Sequence, residues 1–271
     1  MTDKNSASCQ KKGRKRRQLR VNFLNLHIFQ LLLFMICLKV LNAGDSYISL
    51  YVNANGNQQV IKSDSLGKLS SVTVGGTENG ACKVGACDVQ ASQEVKLYFN
   101  EGIDSFESMF EDMTNIKKVD LSNYDTSNIN TMEYMFKGCA NLIEVNFGNI
   151  NVNSIITMHQ TFYGCSSLVS IDLSNKDFSS LNNFVGTFQW CSSLISVNFE
   201  GIKTPSLERI NSMFESCEIL PSVDLSSFDF SKLNVAYAMF NLCRGLLNVN
   251  LGTLYAPLLE NMGCSFNIVL L

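Results

Sequence analysis

Met132-Glu133-Tyr134-Met135-Phe136-Lys137-Gly138-Cys139-Ala140-Asn141-Leu142-Ile143-Glu144-Val145-Asn146-Phe147 is the stretch on which the fold turns. Met132, Met135, Phe136 and Cys139 follow i, i+3, i+4, i+7 spacing, which predicts a short helix with one apolar stripe. Leu142 closes the turn, and Val145-Asn146-Phe147 alternates as a short strand does. Outward from there the pattern returns every 26 residues, at Phe110, Phe136, Phe162, Phe188, Phe214, Phe240 and Phe266, and at Cys139, Cys165, Cys191, Cys217 and Cys243. Val119, Val145, Ile171, Val197, Val223 and Val249 form another column in the same register. Such self-similarity marks an array in which each unit buries its apolar face only against its neighbours. The expected fold is α/β, a solenoid with one short parallel strand and one short helix in each 26-residue coil.

The string Leu142-x-x-Val145-x-Phe147, repeated as Leu168-x-x-Ile171-x-Leu173, resembles leucine-rich repeats. Met135-Phe136-Lys137-Gly138-Cys139-Ala140-Asn141-Leu142 and Cys165-Ser166-Ser167-Leu168-Val169-Ser170-Ile171-Asp172-Leu173-Ser174-Asn175 are similar to the BspA-type leucine-rich repeats of surface proteins. The resemblance spans residues 105–266, six full repeats and a partial seventh, ahead of a short tail at 267–271. It implies a leucine-rich-repeat solenoid in an exported or cell-surface protein, in some members an adhesin or matrix-binding protein. That family has no shared catalytic residues to carry over.

The formal net charge of −3 hides an asymmetry, because residues 1–43 hold nine Lys/Arg and one acid, leaving 12 bases and 23 acids for the rest. An acidic body disfavours nucleic acid as a partner. The basic run Lys11-Lys12-Gly13-Arg14-Lys15-Arg16-Arg17 precedes the apolar Ile28–Leu38 and the small-residue site Leu41-Asn42-Ala43, the order of a secretory signal peptide over residues 1–43. The competing reading is an uncleaved type II signal anchor. Residues 44–104 lose the repeat register and hold strand-like runs at Tyr47–Val52, Leu69–Val74 and Val95–Phe99, which predicts a β-rich N-terminal cap. Within it Cys82 and Cys87 are candidates for a local disulfide in an exported chain.

One column alternates as Asp120, Asn146, Asp172, Asn198, Asp224, Asn250. Stacked carboxylates would repel, whereas an amide can donate to the carboxylates on either side, so the column is expected to be a structural ladder. Calcium bound by the pairs Asp120/Asp125, Asp172/Asp177 and Asp224/Asp229 is the rival, and it lacks an obvious oxygen cage. The cysteine row is expected to be buried free thiols, with no metal and no cofactor implied.

Catalysis has little to build on. His159 is the sole histidine after the leader and is expected to face solvent, with no triad motif near it. The polar residues flanking the strands are small and monotonous, whereas Tyr163 and the only tryptophan, Trp190, fall on adjacent coils and mark a candidate interaction patch. Together these features predict a non-enzymatic secreted or cell-surface protein that binds a protein or cell-surface ligand. The alternative is a self-assembling surface-layer protein, whose apolar last coil at Met262 and Phe266 would associate end to end.

Overall fold

Alternation of apolar residues decides the N-terminal strands, where Ile48, Leu50 and Val52 of β1 (Tyr47–Val52) are buried, Tyr47 and Tyr51 are half-buried, and the buried Ser49 donates to Glu94 at 2.7 Å. A computed structural model of the chain describes residues 46–53, 55–62, 69–78, 86–90, 93–99 and 103–265. After β1 come β2 (Gly56–Gln59), β3 (Leu69–Val74), β4 (Thr77–Glu78), β5 (Ala86–Val89) and β6 (Glu94–Phe99). Gly75 and Gly76, both with positive φ, make the tight β3–β4 turn, where primed turns need left-handed residues. β2 pairs with β5 as a separate two-stranded sheet.

From Ser105 onward the chain forms coils in register. Parallel bridges link Ser105 to Thr131, Thr131 to Thr157, Thr157 to Asn183, Asn183 to Arg209, Arg209 to Val235 and Val235 to Asn261. These residues open coils one to six and a partial seventh. Each full coil carries one strand: β7 (Ile116–Asp120), β8 (Glu144–Asn146), β9 (Ser170–Asp172), β10 (Ser196–Asn198), β11 (Ser222–Asp224) and β12 (Asn248–Asn250). β1 lies antiparallel between β6 and β7, with Leu50 opposite both Val95 and Val119, so the first coil's strand is already paired on its outer edge. One sheet thus runs β4-β3-β6-β1-β7-β8.

The helix expected in each coil is not there. The described residues contain strands and turns only, in several small sheets, so the chain is not an α/β leucine-rich-repeat solenoid with a helix per coil. The backbone of the second coil shows why. Tyr134 and Gly138 both have left-handed φ, +58° and +74°, and two such residues four apart cannot lie in a right-handed helix. The N–H groups alternate in destination. Those of Met132, Tyr134, Phe136 and Gly138 reach the next coil's Thr157, His159, Thr161 and Tyr163 carbonyls at 2.7–3.1 Å, whereas those of Met135, Lys137 and Cys139 close turns onto Met132, Tyr134 and Phe136 at 3.0–3.2 Å. A ribbon of successive β-turns presents the same i, i+3, i+4, i+7 residues inward as a helix does, which is how the stripe misleads. The left-handed sites recur in every coil, for example at Gln160 and Gly164, Gly186 and Trp190, and Ser212 and Ser216.

Inside the coils the phenylalanine column stacks face to face. The rings from Phe110 to Phe240 lie 5.4–5.6 Å apart and within 12° of parallel. Each buried thiol of Cys139, Cys165, Cys191, Cys217 and Cys243 donates to the carbonyl of the phenylalanine 29 residues earlier, at 2.9–3.1 Å. One column of side chains therefore satisfies a backbone acceptor of the preceding coil.

On the strand side the coils zip in pairs. β7–β8, β9–β10 and β11–β12 pair in parallel, whereas β8–β9 and β10–β11 do not hydrogen-bond as strands. In the paired cases the N–H of Leu121, Leu173 or Leu225 reaches the next coil's Asn146, Asn198 or Asn250 carbonyl at 2.7–2.9 Å. At the two seams phenylalanine stands in place of that leucine. Phe147 packs edge-on to Phe162 at 6.3 Å, and Phe199 to Phe214 at 6.3 Å, so the ring lies against the coil its leucine counterpart would bond. The second seam has a further cause in Pro221. Ile143, Val169 and Ile195 donate their N–H groups to the preceding coil, and proline at the equivalent position has none to give.

Candidate functional site

The Asp/Asn column ends the coil strands, where the chain enters the turns that follow. In every coil the side-chain oxygen accepts the N–H two residues on, from Asp120 with Ser122 to Asn250 with Gly252, at 2.8–3.1 Å. These are Asx turns, and they shape each coil locally. Contact along the column is confined to zipped coils, for instance Asn250 Nδ2 donating to Asp224 Oδ2 at 3.1 Å. The backbone N–H and hydroxyl of Ser174 hold the Asp172 carboxyl below its usual range, and the hydroxyl and N–H of Ser226 do the same for Asp224. Asp125 and Asp229, offered as calcium partners, accept their own turn N–H groups from Ser127 and Ser231. Among the described residues no three His, Cys, Asp or Glu side chains gather to hold a metal.

The five row cysteines are free and buried. Burial pushes the Cys139 and Cys243 thiols up to about 12 and the other three upward as well, so none is a poised nucleophile. Cys264 is free and exposed. The proposed disulfide falls outside the described residues, as do the leader at 1–43, Phe266 and the tail at 267–271. His159 departs from the expected solvent-facing position: its ring packs edge-on against Tyr134 at 5.2 Å, and its buried Nδ1 has no hydrogen-bond partner.

Trp190 sits where the left-handed turn residue of its coil must be, with φ +65°, and its side chain is 53 % exposed. The residues in that place are Asp112, Gly138 and Gly164 in the coils before it, and Ser216 and Leu242 in those after. Tyr163 is half-buried one coil earlier, beside Gly164. Next to Trp190, Gln189 Nε2 and Asn241 Nδ2 donate to the two carboxylate oxygens of Glu215 at 2.8 and 2.9 Å.

A second feature escaped the sequence reading. In coils two to six the residue before the strand is aliphatic at Ile143, Val169, Ile195 and Leu247 and is Pro221 in the fifth, and the last three aliphatics are exposed at 37, 48 and 88 %. With exposed Ile219 beside Pro221, they make an apolar ridge running across the coils. The column is in register in the sequence from Ile143 to Leu247, and the small polar residues that follow it mask its exposure there.

Two concavities flank the strands. One, of about 410 Å³, is lined by Tyr51, Lys117, Lys118, Asp120, Glu144 and Asn146, with Lys118 Nζ 2.6 Å from Glu144. The other, of about 320 Å³, opens at the β8–β9 seam. There Lys176 stands in a column otherwise held by Tyr124, Ile150, Ile202, Phe228 and Leu254, and its ammonium donates to the Gly148 carbonyl. Burial draws the Lys176 pKa down, opposed by the Asp172 carboxylate.

Compared with known proteins, residues 104–218 and 171–268 each match the family model described as "Mycoplasma protein of unknown function, DUF285". No curated protein and no solved structure matches the chain. The two matches together cover more than half of the sequence and coincide with the stacked coils, and on that ground the chain belongs to the DUF285 family.

Proposed function

We propose that this is an exported, non-enzymatic surface protein that acts by binding a protein or cell-surface ligand along its coils. The ridge of Val169, Ile195, Ile219 and Leu247 carries the reading, because exposed aliphatics aligned in register are what a partner's apolar surface would cover. The residues beside the ridge, Ser170, Ser196 and Ser222, are small and uncharged, which leaves approach to it unhindered. The similarity of the 135–142 and 165–175 strings to BspA-type repeats favours the same class, as does the leader-like order of residues 1–43. Against turnover stand the engaged carboxylates of the Asx turns and the protonated, buried thiols.

The test uses the full chain in its own cells. A membrane-impermeant label should reach it on intact cells, and the purified protein should bind a cell or matrix surface. Substituting Val169→Ser, Ile195→Ser and Leu247→Ser together should weaken that binding by about tenfold or more, since truncating central apolar contacts typically removes 1–2 kcal/mol or more. An unlabelled chain, or undiminished binding by the triple variant, would overturn the proposal.

A further inference from the structure

The strained tryptophan sets a separate question. A bulky L-residue in the left-handed region is an outlier, and such strain concentrates at ligand clamps and other functional sites. The same place carries glycine in the two preceding coils, so this fold has a relaxed solution for the turn and Trp190 departs from it. What the indole gains inside the molecule is small, because half of it remains in solvent.

The surroundings define the chemistry that would use it. Gly164 and Ser216 flank Trp190 along the column, so the residues in register with it in both neighbouring coils are small. The Gly164 N–H donates to the Gln189 carbonyl and the Trp190 N–H to the Glu215 carbonyl, both at 2.9 Å, which sets Tyr163 beside Gln189 and brings the Glu215 carboxylate, with its Gln189 and Asn241 amides, next to Trp190. The nearby charges are already engaged. Glu215 is held by two amides, and Lys137 pairs with Glu111 at 3.4 Å and lies over the Tyr134 ring at 4.7 Å. An anion would find no uncommitted cation here, and a cation would have to break the amide clamp on Glu215. An apolar protein anchor would want a water-excluding apolar rim, which Ser192, Ser216 and Gly164 do not supply. A sugar ring fits both halves of the surface: its electron-poor C–H face stacks on indole, and its hydroxyls exchange hydrogen bonds with amides and hydroxyls.

We infer that Trp190, with Tyr163 and the neutral amides beside it, forms a binding site for a neutral oligosaccharide. The site rests on the reading of the protein as a binder, and it is separate from the aliphatic ridge. Trp190 is the only tryptophan of the chain, so all tryptophan emission reports on this position. Titrating the full chain with neutral glucose-, galactose- and N-acetylglucosamine-based oligosaccharides should give a saturable change in emission with at least one of them. Calorimetry with that oligosaccharide should show binding weakened about tenfold or more in Trp190→Gly. The unfolding midpoint of Trp190→Gly should be equal or higher, since glycine relieves the left-handed strain. No saturable response across the panel, undiminished binding by Trp190→Gly, a clearly lowered midpoint, or capture of an apolar peptide instead would each overturn the site. Loss of cell binding in the ridge variant with no oligosaccharide response would sink this inference and leave the proposed function standing.

Discussion

The N-terminal sheet and the coils bury similar side chains by opposite means. In β1, β3 and β6, six-residue strands pair antiparallel, and each strand's own alternation assigns Ile48, Leu50, Val95 and Leu97 to the core. In the coils a strand is three residues long, and cohesion runs from coil to coil through ring stacks, thiol-to-carbonyl bonds and turn N–H groups. The first region is specified locally and the second collectively. A fault in one coil is therefore felt by its neighbours, as expected of a repeat array.

Alkali should separate the two regions most sharply. An unfolded thiol ionises near pH ~8.5, whereas burial pushes all five row cysteines upward, Cys139 and Cys243 to about 12. Their folded pKa is raised, so the stability they contribute is fully present below about pH 8.5 and drains away above it. Each thiol accounts for ~1.4 kcal/mol per pH unit, and five together for roughly 7, comparable with the whole stability of a domain. Urea unfolding under reducing conditions should show a steep loss between pH 7.5 and 9.5, and hydrogen exchange should open coil amides before those of β3 and β6. A flat midpoint over that range would mean the thiols are not buried as a set.

Removing one ring comes next. Phe162→Ala leaves a gap between Phe136 and Phe188, which stack on it at 5.4 and 5.5 Å, and should destabilise by about 3–5 kcal/mol. Faster exchange should extend into coils two and four, on either side of the gap; faster exchange confined to coil three would contradict collective cohesion.

Two glycines sharpen the contrast at smaller scale. A Cβ on Gly148 would lie 2.4 Å from Ser122 Cβ and 2.9 Å from its Cα, in the neighbouring coil. Gly56, in the N-terminal region, meets nothing within 4 Å. Both have positive φ, so both alanine variants carry the left-handed penalty of ~1 kcal/mol. Only Gly148→Ala adds crowding, for a total of about 2–4 kcal/mol. Thermal melts of the two variants that coincide would show that the coils can part to admit a methyl group.

The 26-residue period was legible because each coil meets the same packing problem with the same residues, above all phenylalanine and cysteine. Local conformation was not, because inward-facing spacing is common to a helix and to a string of turns. The left-handed sites that tell them apart carry Tyr134, Gln160, Ser212 and Trp190 as well as glycines, and only the glycines advertise the conformation in sequence. Tyr163 and Trp190 stood out by residue type, but the backbone strain at Trp190 exists only in three dimensions. The Asp/Asn alternation was visible too. Its main partner, the N–H two residues along, was overlooked in favour of the next coil.

Pairwise zipping also bears on how such a chain can change length. Excising residues 157–208, two whole coils, would bring Asn146 up to Asp224 and Phe147 to the ring of Phe214, the same company each keeps now with Asp172 and Phe162. Excising residues 157–182 alone would set amide against amide and one wedge-shaped phenylalanine directly beneath another. The module that can be duplicated or dropped without rewriting its neighbours is thus a double turn of 52 residues, twice what the phenylalanine spacing announces.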